Sequence, residues 1–532
     1  MLRRVLVTTG LVLALAIAGC AAESERADDQ IVLAEGQELG NFSPMMGYGQ
    51  LGVSPIYEGL LRPLADTDSR VPDLVPALAS AAPARIGNSN RWRIPLRENV
   101  TFSDGTTFDS ADVLATYRAV RNPTVASEIS TDVAPITAIE ADGPTAITVE
   151  LNIAADPSPY LLLGIVPSER VEDAPAANWA LNTQPVGTGP YRLTSLQPDQ
   201  AILEARSGYW GTAPRLRRIV YSYVPDDNTR AQRVTAGEVD GANLPPRLAN
   251  TLRGRQGADV MAVRSADWRG VSLPAGNPFT ADVAARLAMN LAVDRTALVR
   301  DVLVGHGEPA STPIAPVYGD AYAPQAQFGY DRTTAAAILE DAGWRVGADG
   351  VRTKDGNRAE FGLLYNAQDT LRRDLAVAFA AAMKPLGVQV SVRGSSWDDI
   401  DTKLATDAVV LGGGSTPYSL NSQIYDTLHT RVADSSPYAN PGNFTAPGLD
   451  ALLDETRQSA PSARNTERYR QIQRIYTQAP SAVFLTFLHH TYALRSSGWS
   501  HDAPILEPHS HGVTWGPWWN LPSWKPSGSD DQ

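Results

Sequence analysis

A chain of 532 residues, 43% of them hydrophobic, is long enough for two or three domains that each bury a core. Its formal net charge of −13 argues against a nucleic-acid binder and against adhesion to an anionic membrane surface. Its single cysteine excludes an internal disulfide, so stability must come from packing.

The chain opens with Met1-Leu-Arg-Arg4, two positive charges ahead of a hydrophobic run from Val5 to Ala18. This is the layout of a secretory signal, and its fourteen residues fall short of the roughly 20 that span a bilayer. No later stretch comes near about 18 uninterrupted apolar residues, so no transmembrane helix is expected beyond it. The run ends in Ile17-Ala-Gly-Cys20, which resembles the lipobox of bacterial lipoproteins. That resemblance implies that residues 1–20 form a lipoprotein signal and that the Cys20 sulfur takes a diacylglycerol and becomes the mature N-terminus. Residues 21–30, polar and charged, read as a tether. Loss of Arg3 and Arg4 with the leader takes the net charge from −13 to −15. The expected location is the outer face of the cytoplasmic membrane, with the lipid as the only membrane contact.

Beyond the tether, 42 glycines and 39 prolines are scattered as punctuation, with no repeat or low-complexity block. Runs rich in branched and aromatic residues predict strands at Arg91 to Leu96, Ile147 to Leu151, Ile219 to Val224 and Val388 to Val392. Helical patterns lie between them, at Ser110 to Val120 with Ser110 as N-cap, Asp282 to Val304, Thr333 to Ala342, and Leu371 to Leu386 ahead of Gly387. Strands and helices mixed in this way predict α/β lobes.

The segment from Arg91 to Asp112, a strand, a Ser103-Asp-Gly105 turn and a capped helix, resembles the signature of the family 5 extracellular solute-binding proteins. These serve ABC importers and include dipeptide-, oligopeptide- and nickel-binding members. Further pieces follow in the family's order: Tyr57-Glu-Gly-Leu-Leu61, Pro185-Val-Gly-Thr-Gly-Pro-Tyr191, Tyr209-Trp-Gly211, Ala236-Gly-Glu-Val-Asp240, Ala288-Met-Asn-Leu-Ala-Val-Asp294 and Leu339-Glu-Asp-Ala-Gly-Trp344. Each also has a structural reading. Gly187 and Gly189 suit a tight crossing, and Trp210 and Trp344 suit core anchors.

The resemblance implies an α/β, two-lobed periplasmic-binding-protein-like fold of the cluster C type, with an extra inserted subdomain. Its first lobe would be discontinuous, from residues 31–60, 190–272 and 500–525, the insert 61–189 and the second lobe 273–499. Solute would enter the cleft, the lobes would shut, and the closed monomer would dock on the permease. Moving such an equilibrium from 1:99 to 99:1 takes about 5.5 kcal/mol of differential affinity, so both lobes must touch the solute. Carried over by position, the first-lobe wall would include Met45, Met46 and Tyr48; adjacent methionines suit an adaptable surface, and core packing is the alternative reading.

In the second lobe the stretch Val409 to Tyr418 corresponds to one where peptide binders of the family commonly carry an aspartate for the peptide's α-amino group. Here it has no acid between Val409 and Ser419. Gly412, Gly413 and Gly414 read either as a site where backbone approaches a ligand, together with Ser415, or as a strand-end turn. Tyr418 resembles a cleft tyrosine of the nickel-binding members. Five of the seven histidines fall in the last 44 residues, and His489, His490, His509 and His511 are the candidate metal ligands. His489 and His490 lie in a predicted strand, where only one would face the cleft, whereas His509 and His511 share a face. Trp518 and Trp519 read as core closure or as ligand stackers.

No Gly-x-Ser-x-Gly elbow, His-Glu-x-x-His helix or phosphate loop appears, which disfavours an extracellular hydrolase. The expected function is that of a binding lipoprotein with no chemistry and no cofactor of its own. Its solute would be a short peptide, or alternatively nickel or another metal chelate. A sensor role remains open on sequence alone.

Overall fold

The computed structural model describes residues 29–526 apart from 256, 433–434, 460, 496–498 and 511. Within these, one eleven-stranded sheet runs through the molecule. Its strands are β1 (Gln30–Glu35), β2 (Tyr191–Gln197), β3 (Gln200–Ala205), β4 (Arg218–Tyr223), β5 (Gly241–Asn243), β6 (Ala258–Ser272), β7 (Gly307–Pro309), β8 (Glu360–Asn366), β9 (Gln389–Ser395), β10 (Ala408–Gly413) and β11 (Ala482–Arg495). The order is β9-β8-β10-β6-β11-β5-β1-β4-β3-β2, with β7 paired to β11. β6 and β11 are antiparallel from Ala258 opposite Arg495 to Ser272 opposite Ala482. These two long strands join the halves, because β5 and β1 continue from β11 on one side and β10 and β8 from β6 on the other.

The stretch 61–189 carries its own four-stranded sheet, in which Arg91–Pro95 pairs with Ala146–Leu151. Against it lies α1 (Ser110–Arg121), whose Val113, Tyr117 and Val120 are buried at helical spacing. The helix is capped by Asp109, not by Ser110. The Asp109 carboxylate accepts from Ala111 N, and Asp112 answers by accepting from Asp109 N, a reciprocal box that leaves Ser110 as the first helical residue. Residues of this stretch share one core with β1, β4 and the tail tryptophans, while a separate core lies under β8 and β10. Three further helices matter below: α2 (Asp227–Ala236), α3 (Thr370–Met383) and α4 (Leu420–Leu428).

The helix expected over Asp282 to Val304 is broken into Val283–Ala292 and Arg295–Asp301. Asp294 leaves helical geometry and caps the second piece by accepting from Ala297 N. The break carries the buried Arg295 guanidinium to Ala310 O, Phe484 O and Asn290 Oδ1 at 2.7 to 2.8 Å, an accounting that a continuous helix could not satisfy.

The sequence motifs meet as packing devices. Glu58 accepts from Tyr209 OH and Trp210 Nε1, both at 2.7 Å, joining two of the pieces. A Cβ on Gly187 or Gly189 would lie 2.2 or 2.6 Å from the Ile56 carbonyl oxygen, so only glycine fits the crossing. Trp344 is buried and donates to Asp282 at 3.0 Å.

Candidate functional site

β6 departs from regular register between Arg264 and Trp268, and this irregularity places Asp267 and Arg269 where the two halves meet. A cleft of about 810 Å³ opens there, within the size range of small-molecule sites. From the first-lobe side it is bordered by Glu35, Glu38, Met46, Tyr48, Glu128, Asp227 and Arg230, and from the second-lobe side by Asn366, Asp369, Arg372 and Trp397. Arg269, His489, His490 and His509 border it at the junction.

Five ionisable side chains interlock at this junction. Asp267, with no exposed surface, pairs with Arg269 and accepts from His490 Nε2 at 3.0 Å. His490 Nδ1 meets Glu507 Oε2 at 2.6 Å, and Tyr492 OH donates to the same oxygen at 2.9 Å. His509 Nδ1 lies 2.8 Å from Asp267 Oδ1 and 3.1 Å from Arg269 Nη1. Burial alone would lower the His490 imidazole, but its hydrogen bonds to Asp267 and Glu507 outweigh it and raise the pKa to about 9, so the ring is cationic at neutral pH. Burial likewise opposes ionisation of Asp267, and the charge of Arg269, with the hydrogen bonds of His490 and His509, overcomes it, holding the carboxyl well below its usual range.

Arg372 faces the cleft from the first turn of α3, whose N-cap Asp369 accepts from Arg372 N and pairs with Arg372 Nη1 at 3.2 Å. Burial, and after it the nearby positive charge of Arg269, lowers the Arg372 pKa to about 10, which still leaves it charged at neutral pH. The Nε atoms of both Arg269 and Arg372 are buried without a hydrogen-bond partner. Two mutually repelling cations and a helix N-terminus therefore border the cleft, a setting that attracts an anion. Neither arginine was singled out by the sequence reading. The signals present were charged residues inside the apolar strand β6 and an arginine in the first turn of a helix.

Of the residues expected from sequence, Met46, Tyr48, His489, His490 and His509 border the cleft, whereas Met45 is buried in the core. His489 and His490 both reach the cleft despite their alternation on β11, His490 through the buried network and His489 beside Glu308 at 3.4 Å. Tyr418 is placed elsewhere: its ring is 7% exposed in the core, and its hydroxyl donates to Leu506 O at 3.0 Å. Trp518 and Trp519 are buried, Trp518 edge-on to Tyr492 and Trp519 donating to Ala503 O. Cys20 and His511 lie outside the described residues.

Gly413, Gly414 and Ser415 are absent from the cleft lining, and the glycines have a close-packing reason to be there. A Cβ on Gly413 would stand 2.6 Å from the Trp268 ring, and one on Gly412 2.5 Å from Arg269 Nη1. Gly414 has φ +118°, and its Cβ would lie 2.3 Å from Ala266 O, while its own carbonyl accepts from His509 N at 2.9 Å. Gly414→Ala is therefore expected to destabilise the fold by about 1–3 kcal/mol, read as a lower urea midpoint. An unchanged midpoint would contradict this packing account.

The model for bacterial extracellular solute-binding proteins, family 5 Middle, matches residues 73–435. The chain belongs to that family, the binding proteins of ABC importers, which are transport receptors and not enzymes and which work outside the cytoplasm. It is 36% identical over 473 residues to Protein XP55 of Streptomyces lividans, covering 88% of this chain and 85% of that one. NikZ from Campylobacter jejuni in complex with Ni(L-His) matches with TM-score 0.81 at 22% identity, over 94% of this chain and 100% of that one. The oligopeptide-binding protein AppA from Bacillus subtilis in complex with a nonapeptide matches with TM-score 0.76 at 20% identity, over 94% and 99%. These likenesses establish the two-lobed fold.

Proposed function

We propose that the chain is a lipid-anchored, monomeric receptor that closes on a short peptide and hands it to an ABC permease, gripping the peptide's carboxylate with Arg372 and Arg269. The observation that carries this reading is the pair of arginines, Arg269 and Arg372, that border the cleft together with the N-terminal turn of α3. A carboxylate there would take charge-assisted hydrogen bonds from both, and its charge would offset their mutual repulsion. Glu38 and Glu128, on the opposite side of the cleft, can take the α-amino group in place of the acid missing near Gly413. Met46 and Tyr48 would supply adaptable surface for varied side chains, and His489 would contact the solute at the junction. Gly413, Gly414, Ser415 and Tyr418 would support the junction from behind. Cys20 would carry the lipid, with residues 21–30 as tether.

A metal chelate is the second reading, favoured by three histidines at one cleft. Against direct ligation, both ring nitrogens of His490 already face carboxylates. Among the described residues no group of three or more His, Cys, Asp or Glu side chains is arranged to hold a metal ion. The two readings separate in calorimetric titration of the mature chain carrying Cys20→Ser, after dialysis against EDTA. Tri-alanine is expected to bind. Binding of the nickel–histidine complex with no binding of tri-alanine would contradict the peptide reading.

A further inference from the structure

Away from the cleft lining, the insert touches the second lobe. Tyr160, in the turn Ser158–Tyr160, is 3% exposed, and its hydroxyl lies 2.9 Å from Ser419 Oγ and 3.2 Å from Ser422 Oγ. Ser419 is the N-cap of α4 and Ser422 lies in its first turn, so the three hydroxyls form a closed ring, with Ser419 donating to Ser422 at 3.1 Å. A few residues earlier in the insert, Ala154 N donates to Arg457 O at 2.9 Å.

The bodies behind this contact are rooted in different cores, although Tyr418, just ahead of Ser419, packs into the same core as Tyr160. Tyr160 packs with the insert and the first lobe, and its carbonyl is held by Tyr117 OH of α1 at 2.8 Å. α4 packs through Ile424 and Leu428 into a second-lobe core with Leu411, Leu453 and Phe484. The strands that join the lobes, β6 and β11, contain neither side. Rotation of one lobe about those strands therefore moves Tyr160 relative to α4, and a hydroxyl contact of this length is lost with a displacement of about 1 Å.

We infer that Tyr160, Ser419 and Ser422 form an interlobe latch that favours the lobe arrangement seen in this structure, in which residues of both halves border one cleft, whether or not solute is present. It touches no cleft-lining residue's role, so it acts on every solute alike by raising the population of the binding-competent form, which divides the apparent dissociation constant. This holds independently of what the solute is.

The test uses the mature chain carrying Cys20→Ser, in which no other cysteine exists, with spin labels on Leu64→Cys and Val377→Cys, exposed positions on the insert and on α3. In the solute-free protein, Tyr160→Phe is expected to shift the interlobe distance distribution away from that of the parent, and Ser422→Ala, which leaves the Ser419 contact, to shift it less. The double variant should shift it no further than Tyr160→Phe alone, because that substitution already removes both hydroxyl contacts. Where tri-alanine binds the parent, Tyr160→Phe should weaken it about fivefold, the scale of a neutral hydrogen bond. The ring is retained, so folding is preserved. An unchanged distance distribution would overturn the latch, even if affinity fell. Failure of tri-alanine to bind the parent would count against the peptide reading alone, since the distance measurement needs no solute.

Discussion

Arg372→Ala is expected to weaken binding of tri-alanine by at least about thirtyfold, and to leave the already weaker binding of its C-terminal amide unchanged. Arg372 is 8% exposed and borders the cleft, so a ligand carboxylate there would share its charge with Asp369. Its paired Asp369 is partly engaged in capping α3. Arg372→Lys should recover part of the loss, because it keeps the charge but not the planar fork. Arg372 also stands 5.2 Å from the Trp397 ring centroid, so the urea midpoint of each variant is measured alongside to separate lost packing from lost recognition. Equal losses for acid and amide would show that Arg372 does not read a carboxylate.

The second large effect falls on the junction. His490→Leu is expected to destabilise the protein by about 3–5 kcal/mol at pH 7, because Asp267 and Glu507 would be left as buried carboxylates without the cation between them. The pH dependence follows from the same geometry, in which His490 faces Asp267 of β6 and Glu507 of the C-terminal segment, with Arg269, His509 and Tyr492 adjoining. The folded pKa of about 9 exceeds the ordinary value of 6.5. The folded protein thus binds a proton that the unfolded chain releases, and the contribution of about 3 kcal/mol is fully present below about pH 6.5 and lost as pH rises through 9. Urea titrations should show the gap between parent and variant narrowing from about pH 6.5 and levelling off above about pH 9. A gap constant from pH 6 to 10 would mean that the His490 proton is not what holds the junction.

Much of the fold was legible because its motifs are packing solutions with local signatures. Gly187 and Gly189 are needed where a Cβ would meet Ile56, and the tyrosine and tryptophan of Tyr209-Trp-Gly211 are needed to satisfy Glu58. Strand limits came out within a residue or two at Arg91–Pro95, Ala146–Leu151 and β4, and at the start of β9, where branched residues recur. The break at Asp294 was missed because its cause, the burial of Arg295 against β11, is a tertiary contact invisible to helical periodicity. The site was half legible. Met46, Tyr48 and His489 reach the cleft, but Gly412 to Gly414 read equally as an open cradle or as a close crossing, and only the position of Trp268, Arg269 and Ala266 separates the two. Arg269 and Arg372 are 103 positions apart in the chain, and no spacing rule brings them together.

The central claim is that this cleft holds peptides by their charged termini while tolerating varied side chains. Native mass spectrometry of the mature chain carrying Cys20→Ser, purified gently from its own host without added ligand, tests it directly. The account predicts a heterogeneous set of adducts at peptide masses, all released together by Arg372→Ala. A single adduct with a transition-metal isotope pattern would contradict it.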